Sequence, residues 1–422
     1  MKIRAFRGYR YGIGRVADVS RVVAPPYDQI SPEMRHQLHA MDPHNIVRLT
    51  LPLNMGAPQL KDPQTPSEPD YSRAKQVLDR WLAEGVWARE ERPAIYAYHQ
   101  TYTVGGTTIT RMGFVALGEV TPYASGEVLP HERTHAGPKR DRLALLEATG
   151  TDIGLLFMLV EDAAGRLVRL IDPGGTPTAE ARDLKGERHA LWRITDEATI
   201  AEVARHLAER PVIIADGHHR YETAVDYATR NPAAREKLIA FFPLEGPGLT
   251  ILPNHRLVHT VHDFGVERFL AGAAAWFDVA PLADPLTFRP DNRRLAVVAG
   301  EHAAVLALRD DAFARIAWPA GTSAAWRGLA VSILHEGLLR PLLDITDEKL
   351  DAKTHVEYTA DQAEAVRLAR ERKFQAAFLV APTTPAELRA VVRGGELMPQ
   401  KSTHFYPKLL DGLVFHRLGD AA

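Results

Sequence analysis

The sequence predicts an α/β to α+β protein: a mixed sheet with helices and a smaller C-terminal α+β region. Three observations predict it. Apolar runs of strand length interleave with segments of helical period along the whole chain. Two of those strands meet at Gly105-Gly106, a hairpin signal that argues against a purely parallel, doubly wound sheet. In PVIIADGHHRYETAVDYATRN (211–231) an apolar strand passes through a glycine turn straight into a helix. The chain has 422 residues, 45% of them hydrophobic and 25% charged, which suits an ordinary protein of two or three domains. A formal net charge of −2 supplies no global basic field for nucleic acid, so any anion site must be local. With no cysteine there is no disulfide, thiolate catalysis or Cys-ligated zinc, which fits a reducing cytoplasm. The first residues lack the apolar core of a signal peptide, and no apolar run approaches the roughly 20 residues of a membrane span.

The elements follow in order. In RVVAPPYDQISPEMRHQL, Pro25 and Pro26 stiffen a turn that presents Tyr27 and Asp28, and Ser31 caps a helix with Pro32 at its first position. HNIVRLTLPL (44–53) reads as a strand and residues 54–69 as a loop. From Asp70 an amphipathic helix carries Ala74, Val77, Leu78, Trp81 and Leu82 on one face. The Gly105-Gly106 hairpin comes next, and GLLFMLVED (154–162) and RLVRLID (166–172) read as further strands. Residues 196–209 have helical period. Beyond about residue 260, RLAVVAGEHAAVLALRD reads as a hairpin and WRGLAVSILHEGLL as a helix, and a polar string, PQKSTHFYPK (399–408), precedes the last apolar residues. The expected domains are residues 1–255, a catalytic core; 256–345, a second α+β region; and 346–422, a segment returning toward the site.

His131-Glu132-Arg133-Thr134-His135 matches H-E-x-x-H, which binds zinc when one helix carries both histidines one turn apart. Gly137 and Pro138 follow at once and disfavour that helix, so joint zinc ligation is not expected. The better reading starts a helix at Pro138, with Lys139, Arg140 and Arg142 in its first turn. Cations there oppose the helix dipole by roughly 0.3–1 kcal/mol each, and a docked anion reverses the sign. His131 and Arg133 would add donors from the preceding loop. In IIADGHHRYETA the strand Val212 to Ala215 delivers Asp216 at its carboxyl end, Gly217 permits a tight turn, and His218, His219 and Arg220 open a helix. Arg220 can fork onto phosphate oxygens. Asp216 can hold Mg²⁺ or accept a proton, and Glu132 and Asp28 are further carboxylates for those tasks. An Arg220→Ala change is expected to remove function and leave the fold intact, because the flanking apolar residues are untouched. Lys401, Ser402 and Thr403 suit an anion-binding loop.

Together VVAPPYD, PHERTHAGPKRDRL, IADGHHRYETA and MPQKSTHFYPK resemble the bacterial and archaeal domain of unknown function family 1015, over residues 5 to 416. The DGHHR string also resembles the phosphate-binding box of the ParB/sulfiredoxin superfold, which includes free-serine kinases. The resemblance implies a ParB/sulfiredoxin-like core in which Asp216, Gly217, His218, His219 and Arg220 meet nucleotide phosphates. It implies a cytoplasmic phosphotransferase acting on a small molecule, free L-serine, with ATP, ADP or pyrophosphate as donor and Mg²⁺ as cofactor. Catalytic roles would fall to Asp216, His218, His219, Arg220 and Glu132. Phosphate binding would fall to His131, Arg133, Lys139, Arg140, Arg142, Lys401, Ser402 and Thr403, and substrate binding to Tyr27 and Asp28. Two other classes use the same residues: a ParB-type nucleotide-binding or DNA-associated protein, and a metal-dependent phosphoester hydrolase. No P-loop is present, no nucleic-acid or membrane partner is expected, and the sequence is compatible with a homo-oligomer.

Overall fold

A computed structural model describes residues 1–53, 70–134 and 136–420. The chain divides into two compact units, Met1–Leu249 with Pro407–Ala422, and Thr250–Tyr406. The first unit is a mixed α/β assembly on a nine-stranded sheet. Its strands are β1 (Ile3–Arg4), β2 (Ile95–Val104), β3 (Thr107–Glu119), β4 (Val128–Leu129), β5 (Leu156–Val160), β6 (Ala179–Arg182), β7 (Arg188–Ile194), β8 (Val212–Asp216) and β9 (Glu236–Pro243). They lie in the order β4-β8-β5-β9-β3-β2-β7-β6, with β1 beside β3. The β8–β4 and β9–β5 pairs are parallel and the remaining pairs antiparallel. The β2–β3 hairpin turns at Gly105 and Gly106, whose φ of +57° and +80° are the left-handed pair that a two-residue hairpin turn needs.

Alternation along the strands sends two sets of side chains to opposite faces. On one face Ile95, Ala97, Phe114, Leu156, Met158, Val212, Ile214 and Phe241 pack into a core, with Val203 and Leu207 of helix 197–208 and Tyr221 of helix 218–228. The other face carries Tyr98, Gln100, Arg111, Phe157 and Phe242. The Arg111 guanidinium sits 4.7 Å and 4.8 Å over the rings of Phe157 and Phe242. Residues Pro407–Leu410 lie on that face. The Pro407 carbonyl accepts from Arg111 at 2.6 Å, the Lys408 carbonyl accepts from Gln100 Nε2 at 2.9 Å, and the Leu410 N–H donates to the Tyr98 hydroxyl at 3.2 Å.

The helices of this unit are α1 (Pro32–Met41), α2 (Val47–Thr50), α3 (Ser72–Ala83), α4 (Ala136–Thr149), α5 (Arg166–Leu170), α6 (Glu197–Ala208) and α7 (His218–Ala228). Ser31 caps α1 by accepting from the Met34 N–H, with Pro32 next. Ala74, Leu78 and Trp81 of α3 join Tyr27, Leu38, Val47 and Leu49 in a second core. Three expectations are corrected. Residues 47–50 form α2 and not a strand, because the Asn45 side chain accepts from the Val47 N–H at 3.0 Å and caps it. Residues 166–170 form α5 and not a strand: the Asp162 carboxylate accepts from the N–H groups of Arg166 and Leu167, each at 2.9 Å. Helix α4 begins at Ala136, two residues before Pro138. Proline is tolerated there because first-turn N–H groups have no intrahelical acceptor. Residues 54–69 and His135 lie outside the described residues, and with them the expected loop and the second histidine of H-E-x-x-H.

The second unit holds a six-stranded antiparallel sheet: β10 (His255–Val258), β11 (Phe277–Pro281), β12 (Arg294–Ala299), β13 (His302–Leu308), β14 (Val356–Thr359) and β15 (Ala376–Leu379), in the order β11-β13-β12-β15-β10-β14. The expected hairpin at 294–310 is β12–β13. The expected domain boundary at residue 345 falls inside this one sheet. Its two faces are buried against separate apolar clusters, one around Phe277, Leu306 and Phe378 and one around Leu257, Val298 and Val366. No helix among the described residues is long and apolar enough to cross a membrane.

Candidate functional site

The site is built where β8 ends and α7 begins. Val212 and Ile214 of β8 pair with Val160 and Met158 of β5, but the register then slips, so that Asp216 stands opposite Phe157. Paired residues share a face, so the bulge at Ala215 turns Asp216 from the helix-covered face to the one carrying Phe157, Arg111 and Lys408. Gly217 follows with φ +100°, the left-handed conformation that lets the chain enter α7 at once. Asp216 and Lys408 pair at 3.3 Å, their side chains 21% and 19% exposed. Burial works against the Asp216 charge, and Lys408, Arg220 and His218 outweigh it, holding the carboxyl below the usual range.

Arg220 turns back beneath this pair. It is buried, and its Nη1 donates to the Leu155 carbonyl at 2.6 Å. A Cβ on Gly154 would stand 3.0 Å from Nη1 and one on Gly217 3.1 Å from Nη2, so two glycines make the space the guanidinium fills. Burial opposes its charge, and Asp216, Asp411 and Asp28 outweigh that and raise its pKa. Asp411 is buried, and its Oδ1 has no hydrogen-bond partner among the described residues. Burial pushes its carboxyl up to about 7, against the pull of Arg220 and Arg142. The sequence reading missed Asp411. Its signal was a lone acid and a glycine, Asp411-Gly412, inside an otherwise apolar run with Leu409, Leu410, Leu413 and Val414.

His131 and His218 pack against each other beside this turn. His131 is fully buried; its Nδ1 donates to the Ile214 carbonyl at 2.6 Å, and its backbone N–H donates to His218 Nε2 at 3.1 Å. The rings meet edge to face at 4.6 Å. Burial lowers both pKa values, that of His218 furthest. His131 precedes α4, so it is not on a helix as H-E-x-x-H zinc ligation requires, and its Nε2 faces Glu132 at 3.9 Å. His219, the second residue of α7, is half-buried.

The basic string of α4, Lys139 to Arg142, is not a free cationic patch. Lys139 pairs with Glu222 of α7 at 2.9 Å, and Glu222 also accepts from Thr134 at 2.6 Å. Arg142 is buried over the Tyr27 ring at 3.9 Å, donates to the Tyr71 hydroxyl at 2.6 Å and pairs with Asp141. Arg133, Arg140 and Asp28 are exposed. Arg142 and Arg220 each act electrostatically on both Tyr27 and Asp411. Lys401, Ser402 and Thr403 belong to the second unit, where the Lys401 and Thr403 carbonyls each accept from Asn254 at 3.0 Å. Among the described residues, no set of three His, Asp or Glu ligands includes Asp216.

A model of the family described as a protein of unknown function, DUF1015, matches residues 3–332. No curated protein matches the chain. Among solved structures, a conserved hypothetical protein from Pyrococcus furiosus has 13% identity over 70% of this chain and 93% of its own, with a TM-score of 0.37. A free serine kinase in complex with AMP has 12% identity over 69% and 86%, at 0.37. C-terminally truncated SbnI from Staphylococcus aureus has 11% identity over 70% and 85%, also at 0.37. At these scores neither fold nor function carries over from the three structures.

Proposed function

From a chain that belongs to the DUF1015 family of proteins of unknown function, we propose a cytoplasmic phosphotransferase for a small hydroxyl substrate. Free L-serine is the acceptor, ATP, ADP or pyrophosphate the donor, and the core of the first unit is ParB/sulfiredoxin-like. The observation that carries this reading is the partly exposed Asp216–Lys408 pair at the start of α7, with Arg220 buried behind it. A helix start, a lysine and an arginine on one side of a strand end suit a multiply charged phosphate. Transfer needs charge neutralisation on the moving phosphoryl group and a held hydroxyl, with little covalent chemistry from the protein. Lys408 can leave Asp216 for the donor, and Arg220 supplies positive potential from below.

Asp216, ionised between cations, is a weak base. It suits Mg²⁺, which takes one or two carboxylates and completes its shell with water and donor phosphates. Bound there, Mg²⁺ would neutralise donor phosphate charge. As the serine Oγ–P bond forms and the donor's bridging P–O bond breaks, the hydroxyl proton falls to Glu132 or Asp28, whose carboxylates reach solvent. Tyr27 and Asp28 are the acceptor side, and His131 and His218 fix the strand-to-helix turn. Phosphorus NMR of the protein with Mg²⁺, L-serine and each donor in turn tests the reading. A phosphoserine resonance with one donor, absent in Asp216→Asn, is the expected result, and no transfer from any donor overturns it.

A further inference from the structure

A second cluster of ionisable side chains stands at the far end of the sheet, on the turn joining β6 to β7. The Asp183 backbone N–H donates to the Glu187 carbonyl at 3.0 Å, and Gly186 closes the turn with φ +84°. Asp183 Oδ1 accepts from the backbone N–H groups of Lys185 at 2.8 Å and Glu187 at 2.9 Å. That fixes the carboxylate and leaves Oδ2 aimed at His189 Nε2, 3.8 Å away, too far for a hydrogen bond. His189 is fully buried, and its Nε2 has no hydrogen-bond partner among the described residues. Ligand atoms of Asp183, Glu187 and His189 all lie within 4.8 Å of one another.

A buried ring nitrogen without a partner has given up its water for no hydrogen bond in return. Here it faces two carboxylates at a spacing that one ion can bridge. Ligands with metal bonds of about 2.1 Å stand roughly 3–3.5 Å apart, so the three groups need to close by about an ångström. His189 already has the partner that metal-bound histidines use on the opposite nitrogen. Its Nδ1 is 2.7 Å from the Tyr98 hydroxyl, which can accept a hydrogen bond from Nδ1–H and so leave the lone pair on Nε2.

We propose that Asp183, Glu187 and His189 bind one divalent first-row transition-metal ion of the Zn²⁺ type. One imidazole with two carboxylates favours such an ion over Mg²⁺ or Ca²⁺, which take oxygen ligands. The pair of carboxylates matches its charge. The buried Arg111 guanidinium acts on both Glu187 and His189 and tempers the affinity. Strands β7 and β8 stand five positions apart in the sheet order, roughly 24 Å, so this ion would staple the β6–β7 turn and take no part at Asp216.

The test is calorimetric titration of Zn²⁺ into chelator-treated full-length protein, with Co²⁺ absorption as a second probe of the ligand set. Asp183→Asn is the informative variant, because an amide oxygen still accepts the Lys185 and Glu187 N–H bonds while the ligand atom becomes an NH₂. Stoichiometric binding by the wild type, a Zn²⁺-dependent rise in its unfolding temperature, and an affinity at least tenfold weaker in both Asp183→Asn and Glu187→Gln are expected. No stoichiometric binding by the wild type, or equal binding by the two variants, overturns the proposal. Neither outcome depends on whether serine is phosphorylated.

Discussion

Asp411 and Arg220 are the residues whose burial says most. An acid whose pKa is raised by folding holds its proton while the unfolded chain has lost it. Stability from that group is therefore full below the unfolded pKa near 4 and falls as pH rises toward 7. Asp411→Asn removes the dependence. Urea unfolding at pH 5 and pH 8 should find the variant gaining on the wild type at the higher pH, by an amount on the order of a few kcal/mol. A difference that does not move with pH would mean that Asp411 is ionised throughout. Arg220 corrects the expectation that its removal spares the fold. Arg220→Ala leaves the Leu155 carbonyl and Asp411 facing a void, so it should cost on the order of 3 kcal/mol of stability as well as about a hundredfold in transfer rate. Unfolding curves that overlay on the wild type would show the guanidinium to be dispensable to the core.

At the scale of elements, the strand, tight turn and helix of 211–231 were legible because apolar run, glycine and helical period all agree there. The bulge that turns Asp216 over was not, since one slipped residue leaves no mark in composition. Helices α2 and α5 were hidden for another reason. Each is short and rich in Val, Leu or Ile, and each is held by a capping side chain, Asn45 or Asp162, that pattern reading treats as loop. The basic string 139–142 was legible as charge, but its partners Glu222 and Tyr71 lie far off in sequence. Two glycines test the turn. A Cβ on Gly217 adds left-handed strain and meets Leu156 Cδ2 at 2.6 Å, so Gly217→Ala should lower stability by about 1–3 kcal/mol. Gly154→Ala has no such strain and chiefly displaces Arg220. We expect it to lower turnover at least tenfold with a stability loss under about 1 kcal/mol, read from kinetics and urea midpoints. Equal effects of both on stability alone would count against a positioned guanidinium.

At the scale of the molecule, the first unit is made from both ends of the chain, and Thr250–Tyr406 is an excursion between them. The excursion opens and closes on paired strands, Thr250–Leu252 against His404–Tyr406, so its ends are neighbours. Joining Leu249 to Pro407 by a short Gly/Ser linker should therefore give a folded first unit, with dispersed NMR signals and cooperative melting. A molten or insoluble product would show that the second unit is needed for folding. The closing strip Pro407–Leu410 also sets an order of events during synthesis. Until it has left the ribosome, the sheet face carrying Tyr98, Gln100 and Arg111 lacks the partners that this strip supplies. The intervening stretch of roughly 160 residues takes about 8–30 s to make at ordinary elongation rates. For that interval Arg111 and Gln100 wait for the carbonyls of the closing strip, so translation speed and chaperone supply should bear on how much of this protein a cell recovers.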